Sequence, residues 1–227
     1  MNQPGVYFTL ACPFVNIIGL YSNIGDGEKG YGVISSENGN IPNFTDVQKN
    51  FLIAELKRLK PIREKNGAAV ILAVHHPAFR GNDENVNPLG LDLDDAFTKG
   101  GLWPDIVISG HDHVYERFER DVQATGIKMP YVVAGCGGYN TGALASDPSR
   151  KFPSSLSKNP GARAYVNYYG YLKIKVTENE LAVVYNSISK DYGTAFDAIT
   201  INLKTHAVTE NAINKEPMLR PTPIKGA

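Results

Sequence analysis

Three short apolar runs each stop at a turn rich in histidine or glycine. "AAVILAV" (68–74) runs into His75-His76-Pro77, "PDIVIS" (104–109) into Gly110-His111-Asp112-His113, and "YVVAG" (131–135) into Cys136-Gly137-Gly138. Continuous apolar runs of this length suit strands buried on both faces, as in a sheet covered by helices. Open α/β sheets bind ligands beyond the carboxyl ends of their strands, so the shared position of these turns points to a site. The fold class implied is α/β, a sandwich-like arrangement of mixed sheets flanked by helices.

The rest of the chain fits around those runs. "VYFTLAC" and "FVNIIGLYS" read as two strands separated by Pro13. A polar, Gly-rich stretch over 23–32 leads to a helix, where Thr45 and Gln48 form a capping box ahead of Val47, Leu52, Leu56 and Leu59. Pro61 is expected to close that helix, and a second, shorter helix is expected near 93–99, after a polar loop containing Pro88. The Gly-, Ser- and Pro-rich stretch 137–163 reads as a mobile segment or a lid. "YLKIKV", "LAVVYNSI" and the alternation of Ile199, Ile201 and Leu203 make a closing meander. One domain over 1–203 and a polar, Pro-containing tail over 204–227 are expected.

Charge narrows the partners. Lysines and arginines number 23, as do aspartates and glutamates, so the formal net charge is zero. Nucleic acid and anionic membranes both select a basic excess, and neither is expected here. No apolar run approaches the ~18 residues of a membrane span. Two cysteines, Cys12 and Cys136, are too few for a disulfide framework. No basic and then apolar stretch follows Met1. The localisation stays open: cytoplasmic as the chain stands, exported if a parent protein carries a leader.

Three of the five histidines, His75, His111 and His113, sit at the same expected sheet edge. Imidazole is the usual ligand for borderline metals such as Zn, Fe, Mn or Cu, and a rigid turn can preorganise two rings one residue apart. His76 is expected to face packing or solvent, and His206 to lie at the surface. Asp112, Glu116 and Arg117 are the candidates for orienting the ligand turn from behind, with an ordinary Glu116–Arg117 surface ion pair as the alternative. Asn23 and Arg80, near strand ends, are candidates for touching a substrate anion. Asp26, Glu28, Asp83 and Glu84 are read as solvated loop carboxylates. Cys136 has no evident activating base, so a structural role is expected.

On these residues the chain resembles a known family. "GHDHVYER" is similar to the Gly-His-x-His-x-Tyr-Glu-Arg element of purple acid phosphatases, within the calcineurin-like metallophosphoesterase superfamily. "VHHPAF" resembles the preceding histidine element, with His75 at the ligand position. The resemblance extends from about residue 6 to about 203. It implies hydrolysis of phosphate esters, with His75 and His111 on one metal and His113 on another, drawn from Fe, Zn or Mn. It also implies an incomplete fold at the N-terminus, because the family's upstream elements, including the carboxylate that bridges the two metals, have no counterpart here. Two cations ~3.5–4 Å apart repel without an anionic bridge, so at most one tightly bound metal is expected. A sheet edge left open is expected to be covered by another copy or another partner. Two further readings stand beside this one: a non-catalytic binding module on the same fold, and a one-metal hydrolase using all three histidines.

Overall fold

The computed structural model describes residues 6–23, 32–34, 46–81, 86–122, 125–138, 161–188 and 195–211. Strand β1 (Phe8–Ala11) and strand β2 (Val15–Leu20) form an antiparallel pair on either side of Pro13. Helix α1 (Val47–Asn66) follows, then β3 (Ala69–Val74), helix α2 (Pro88–Gly100) and β4 (Ile106–Ser109). Next come β5 (Tyr115–Val122), β6 (Ile127–Ala134) and β7 (Ala162–Val166). A meander closes the chain: β8 (Gly170–Val176), β9 (Glu180–Ser187), β10 (Ala195–Asn202) and β11 (Val208–Glu210).

Two sheets result. The larger has the order β1-β2-β3-β4-β6-β5-β7, and β2, β3, β4 and β6 within it run parallel. The smaller, β11-β10-β9-β8, is antiparallel throughout. One face of the larger sheet packs Ile18, Leu72, Val107 and Val133 against Leu52, Leu56, Leu89, Leu93 and Phe97 of the helices. The other packs Ile71, Ile106 and Val132 against Leu181, Val183, Ile199 and Ile201 of the smaller sheet. The architecture is therefore an α/β sandwich of mixed sheets, with buried parallel strands where the continuous apolar runs put them. No described helix is long and apolar enough to cross a membrane.

Several local expectations shift. Thr45 lies outside the described residues. The helix N-cap is Asp46, which makes no side-chain cap bond. Gln48 is buried and clamps β2 instead: its Oε1 accepts from Tyr21 N at 2.6 Å and its Nε2 donates to Tyr21 O at 2.7 Å. Pro61 does not close α1, which continues to Asn66. An interior proline costs on the order of 3 kcal/mol in helix stability. Burial of Leu59 before it, and the ion pair of Arg63 after it, hold the last turns in place. Pro88, read as loop, opens α2, and Asn87 caps it by accepting from Gly90 N at 3.0 Å. Residues 139–160 of the expected lid lie outside the described set. Within the stretch read as a tail, Val208–Glu210 pair with β10 and residues from 212 on are not described.

Strand β5 carries the largest departure. Its charged sequence "YERFERDV" hides a strand buried on both faces. Tyr115 stacks on Tyr185 of the smaller sheet at 4.1 Å, and Phe118 joins the helix-side core. Successive strand residues point to opposite faces, so Glu116 and Arg117 are not a surface pair. Arg117 is almost fully buried and meets Asp197 at 2.7 Å, Glu119 at 2.6 Å and Glu210 at 2.9 Å. It ties the two sheets together rather than bracing the histidine turn. A fully paired buried guanidinium of this kind is expensive to strip of its partners.

Candidate metal centre

The four parallel strands end side by side, and each contributes to one edge. Ser22 lies two residues past β2, His75 and His76 directly follow β3, Gly110 and His111 follow β4, and Gly135 follows β6. Hydrogen bonds lock the turns together. Gly110 N donates to His75 O at 2.9 Å, Asp112 N to Gly110 O at 2.8 Å, and Gly135 N to Val114 O at 3.1 Å. Gly135 is required by close approach: a Cβ there would overlap the Asp112 carbonyl oxygen. His111 takes a left-handed backbone, φ 63°. That conformation is uncommon outside glycine and tends to mark functional turns.

Within this edge three imidazoles gather. The ligand atoms of His75, His76 and His111 all lie within 4.8 Å of one another. His75 Nε2 and His111 Nδ1 are 3.2 Å apart. Two nitrogens bound to one ion at about 2.0–2.1 Å and the tetrahedral angle stand about 3.4 Å apart, so this pair fits a shared metal. His75 is exposed. His76 is fully buried, with its ring centroid 4.4 Å from that of His111. An all-imidazole donor set suits the borderline divalent metals.

The expected ligands are thus only partly brought together. His75 and His111 meet, and His113, half-buried two residues further round the turn, is not in the group. His76, expected to serve packing, does so and also stands among the metal-capable nitrogens. Its backbone N–H donates to Ser22 Oγ at 3.0 Å, and the same oxygen lies 2.8 Å from its Nδ1. Ser22 and the neighbouring Gly32 were not legible as site residues. A serine just past a strand end and a glycine in a polar loop are too common to stand out. Arg80 and Asp112 do reach the site edge, joined to each other at 3.5 Å. Asn23 is exposed and forms an isolated bridge with Val33. Asp26, Glu28, Asp83 and Glu84 lie outside the described residues.

Cys136, fully buried, sits 2.7 Å from the Tyr185 hydroxyl, and burial pushes its thiol up, away from the reactive thiolate. An open, apolar groove of about 370 Å³ adjoins the cluster, with Phe8, Gly19, Ala73 and Ile108 along it and His75 at its rim.

No family model and no curated protein matches the chain. Solved structures do. One is GAP50, described as the anchor in the inner membrane complex of Plasmodium, with a TM-score of 0.56 and 14% identity over 87% of this chain and 53% of that one. Another is PhoD, with a TM-score of 0.61 and 13% identity over 92% of this chain and 44% of that one. The chain spans about half the length of these two structures. What it shares with both is the mixed-sheet α/β sandwich.

Proposed function

We propose that this chain holds a single divalent transition-metal ion at His75 and His111 and hydrolyses phosphate esters there. The observation that carries the reading is the 3.2 Å approach of the two ring nitrogens at the carboxyl ends of adjacent parallel strands. The fold likeness to PhoD and the resemblance of both histidine elements to metallophosphoesterase motifs support it. A bound divalent ion would supply Lewis-acid polarisation of a phosphoryl oxygen and a water acidified towards neutral pH. Arg80, at the end of the His75 turn, brings a guanidinium whose planar fork matches phosphate oxygens, and Asp112 orients it. Exposed Asn23 offers an amide at the end of β2. The apolar groove beside His75 suits an aryl or alkyl leaving group over a sugar. Among the described residues the histidine group includes no carboxylate, so one ion, not two, is the expected load.

Turnover of an aryl phosphate such as 4-nitrophenyl phosphate, with added Zn²⁺ or Mn²⁺, tests this directly. Wild type is expected to turn over slowly, and His111→Ala to lose at least about tenfold, the loss that even an outer partner of a ligand gives. Equal rates in the two proteins would sink the reading. A second reading is a binding module on the same fold, favoured by the absence of a carboxylate from the histidine group and by the anchor description of GAP50. Metal bound without turnover would select it.

A further inference from the structure

We propose that His76, held by the Ser22 hydroxyl, supplies the third nitrogen to that one divalent ion, in the place that the one-metal, three-histidine reading of the sequence gives to His113. This rests on the metal site at His75 and His111. It adds a ligand and a positioning residue to that site.

His76 is the most constrained ring of the cluster. Its side chain is fully buried, its centroid is 4.8 Å from that of His75 and 4.4 Å from that of His111, and a single buried oxygen holds both its backbone N–H and its Nδ1 edge. Gly32 closes the same edge from the other side, where a Cβ would come within 2.5 Å of Nδ1. Ser22 holds that strap in place by accepting from Val33 N through its own carbonyl at 3.1 Å. The ring is held from two sides, with Nδ1 turned to Ser22.

The hydroxyl can either donate to Nδ1 or accept from Nδ1–H, and the second arrangement is the one proposed. Oxygen in a serine has one proton and two lone pairs. One lone pair takes the His76 N–H. With the second accepting from Nδ1–H, Nε2 keeps its lone pair for an ion, and the outer nitrogen donates to an acceptor as ligating histidines commonly do. Ser22 touches no ion; it acts through His76. Exposed His75 is then the ring that adjusts, and buried His76 the one that sets the geometry.

Full-length protein titrated with Co²⁺ and followed by visible absorption, with Zn²⁺ affinity by chelator competition, tests the assignment. His76→Gln and Ser22→Ala are each expected to weaken metal affinity by about 10–100-fold and to change the Co²⁺ ligand-field bands. Ser22→Thr, which keeps the hydroxyl, is expected to restore both, an outcome that a merely structural role of Ser22 would not give. Thermal melts of the metal-free variants identify any that fail to fold, and Ser22→Ala carries the test if His76→Gln does. The proposal is overturned if affinity falls in His113→Ala as far as in His76→Gln, or if Ser22→Ala binds metal as wild type does. Those two results leave the metal site at His75 and His111 standing, whereas a wild type that binds neither ion removes both.

Discussion

Asp105 shows how one buried side chain sets a pH dependence. It sits just before β4 and receives Arg63 Nη2 at 2.8 Å, Arg63 Nε at 3.2 Å and Val70 N at 2.8 Å, with His206 Nδ1 at 3.4 Å. Burial pushes its carboxyl up, but the bonds from His206 and Arg63, joined by Val70 N–H, outweigh burial and hold it below the usual carboxylate range. Between the folded and unfolded values the unfolded chain binds more protons, so stability rises with pH there. The contribution is complete above about pH 4, the ordinary carboxylate value, and is lost as pH falls through the folded one. Asp105→Asn leaves a buried guanidinium without its counter-charge, which costs about 3–5 kcal/mol. Urea unfolding at pH 7 is expected to show that loss, and the gap to wild type is expected to narrow below about pH 4. A gap independent of pH would remove the carboxylate's charge from the account. His206, expected at the surface, is thus part of this buried pair's environment, and nothing in "NLKTHAVTE" announces it.

At the scale of elements, the glycine turn after β6 is the support of the histidine turn. Substituting Ala at Gly135 sets a methyl against the Asp112 carbonyl, so one backbone must move. Gly135→Ala is expected to cost about 2 kcal/mol or more in stability and to lower metal affinity through displaced His111. Gly137→Ala, with nothing within 4 Å of its Cβ, is expected to stay within about 0.5 kcal/mol of wild type in the same melts. The strands that frame this turn were legible because parallel strands buried on both faces need uninterrupted apolar residues. Strand β5 was not, because its buried positions include Arg117, and only the three carboxylates around that residue make burial tolerable. Pro61 misled for a related reason. Local propensity argues for a break there, and the packing of residues on either side overrides it.

Over the whole molecule, seven described strands face four, and β1 ends the larger sheet. Among the described strands β1 pairs only with β2, and it carries no charge, proline or bulge to discourage further pairing. Phe8 is 40% and Leu10 51% exposed. An apolar, unprotected edge of this kind promotes association. Leu10→Lys is expected to reduce concentration-dependent self-association in sedimentation velocity while leaving the melting temperature close to that of wild type. Unchanged association would mean that this edge is not where molecules meet.

The residues alone determined the layout of the buried sheet and the edge at which the histidine and glycine turns gather, because apolar continuity and the turns that end it are local properties of a chain. They also determined that imidazoles stand at that edge. Which imidazoles face one another was decided only by the tertiary structure. His75 and His111 lie 36 residues apart and meet through the register of β3 against β4, and His76 joins them because Ser22, 54 residues upstream, holds its ring. Side-chain direction at a strand end depends on hydrogen bonds to other strands, and a one-dimensional pattern carries no record of those.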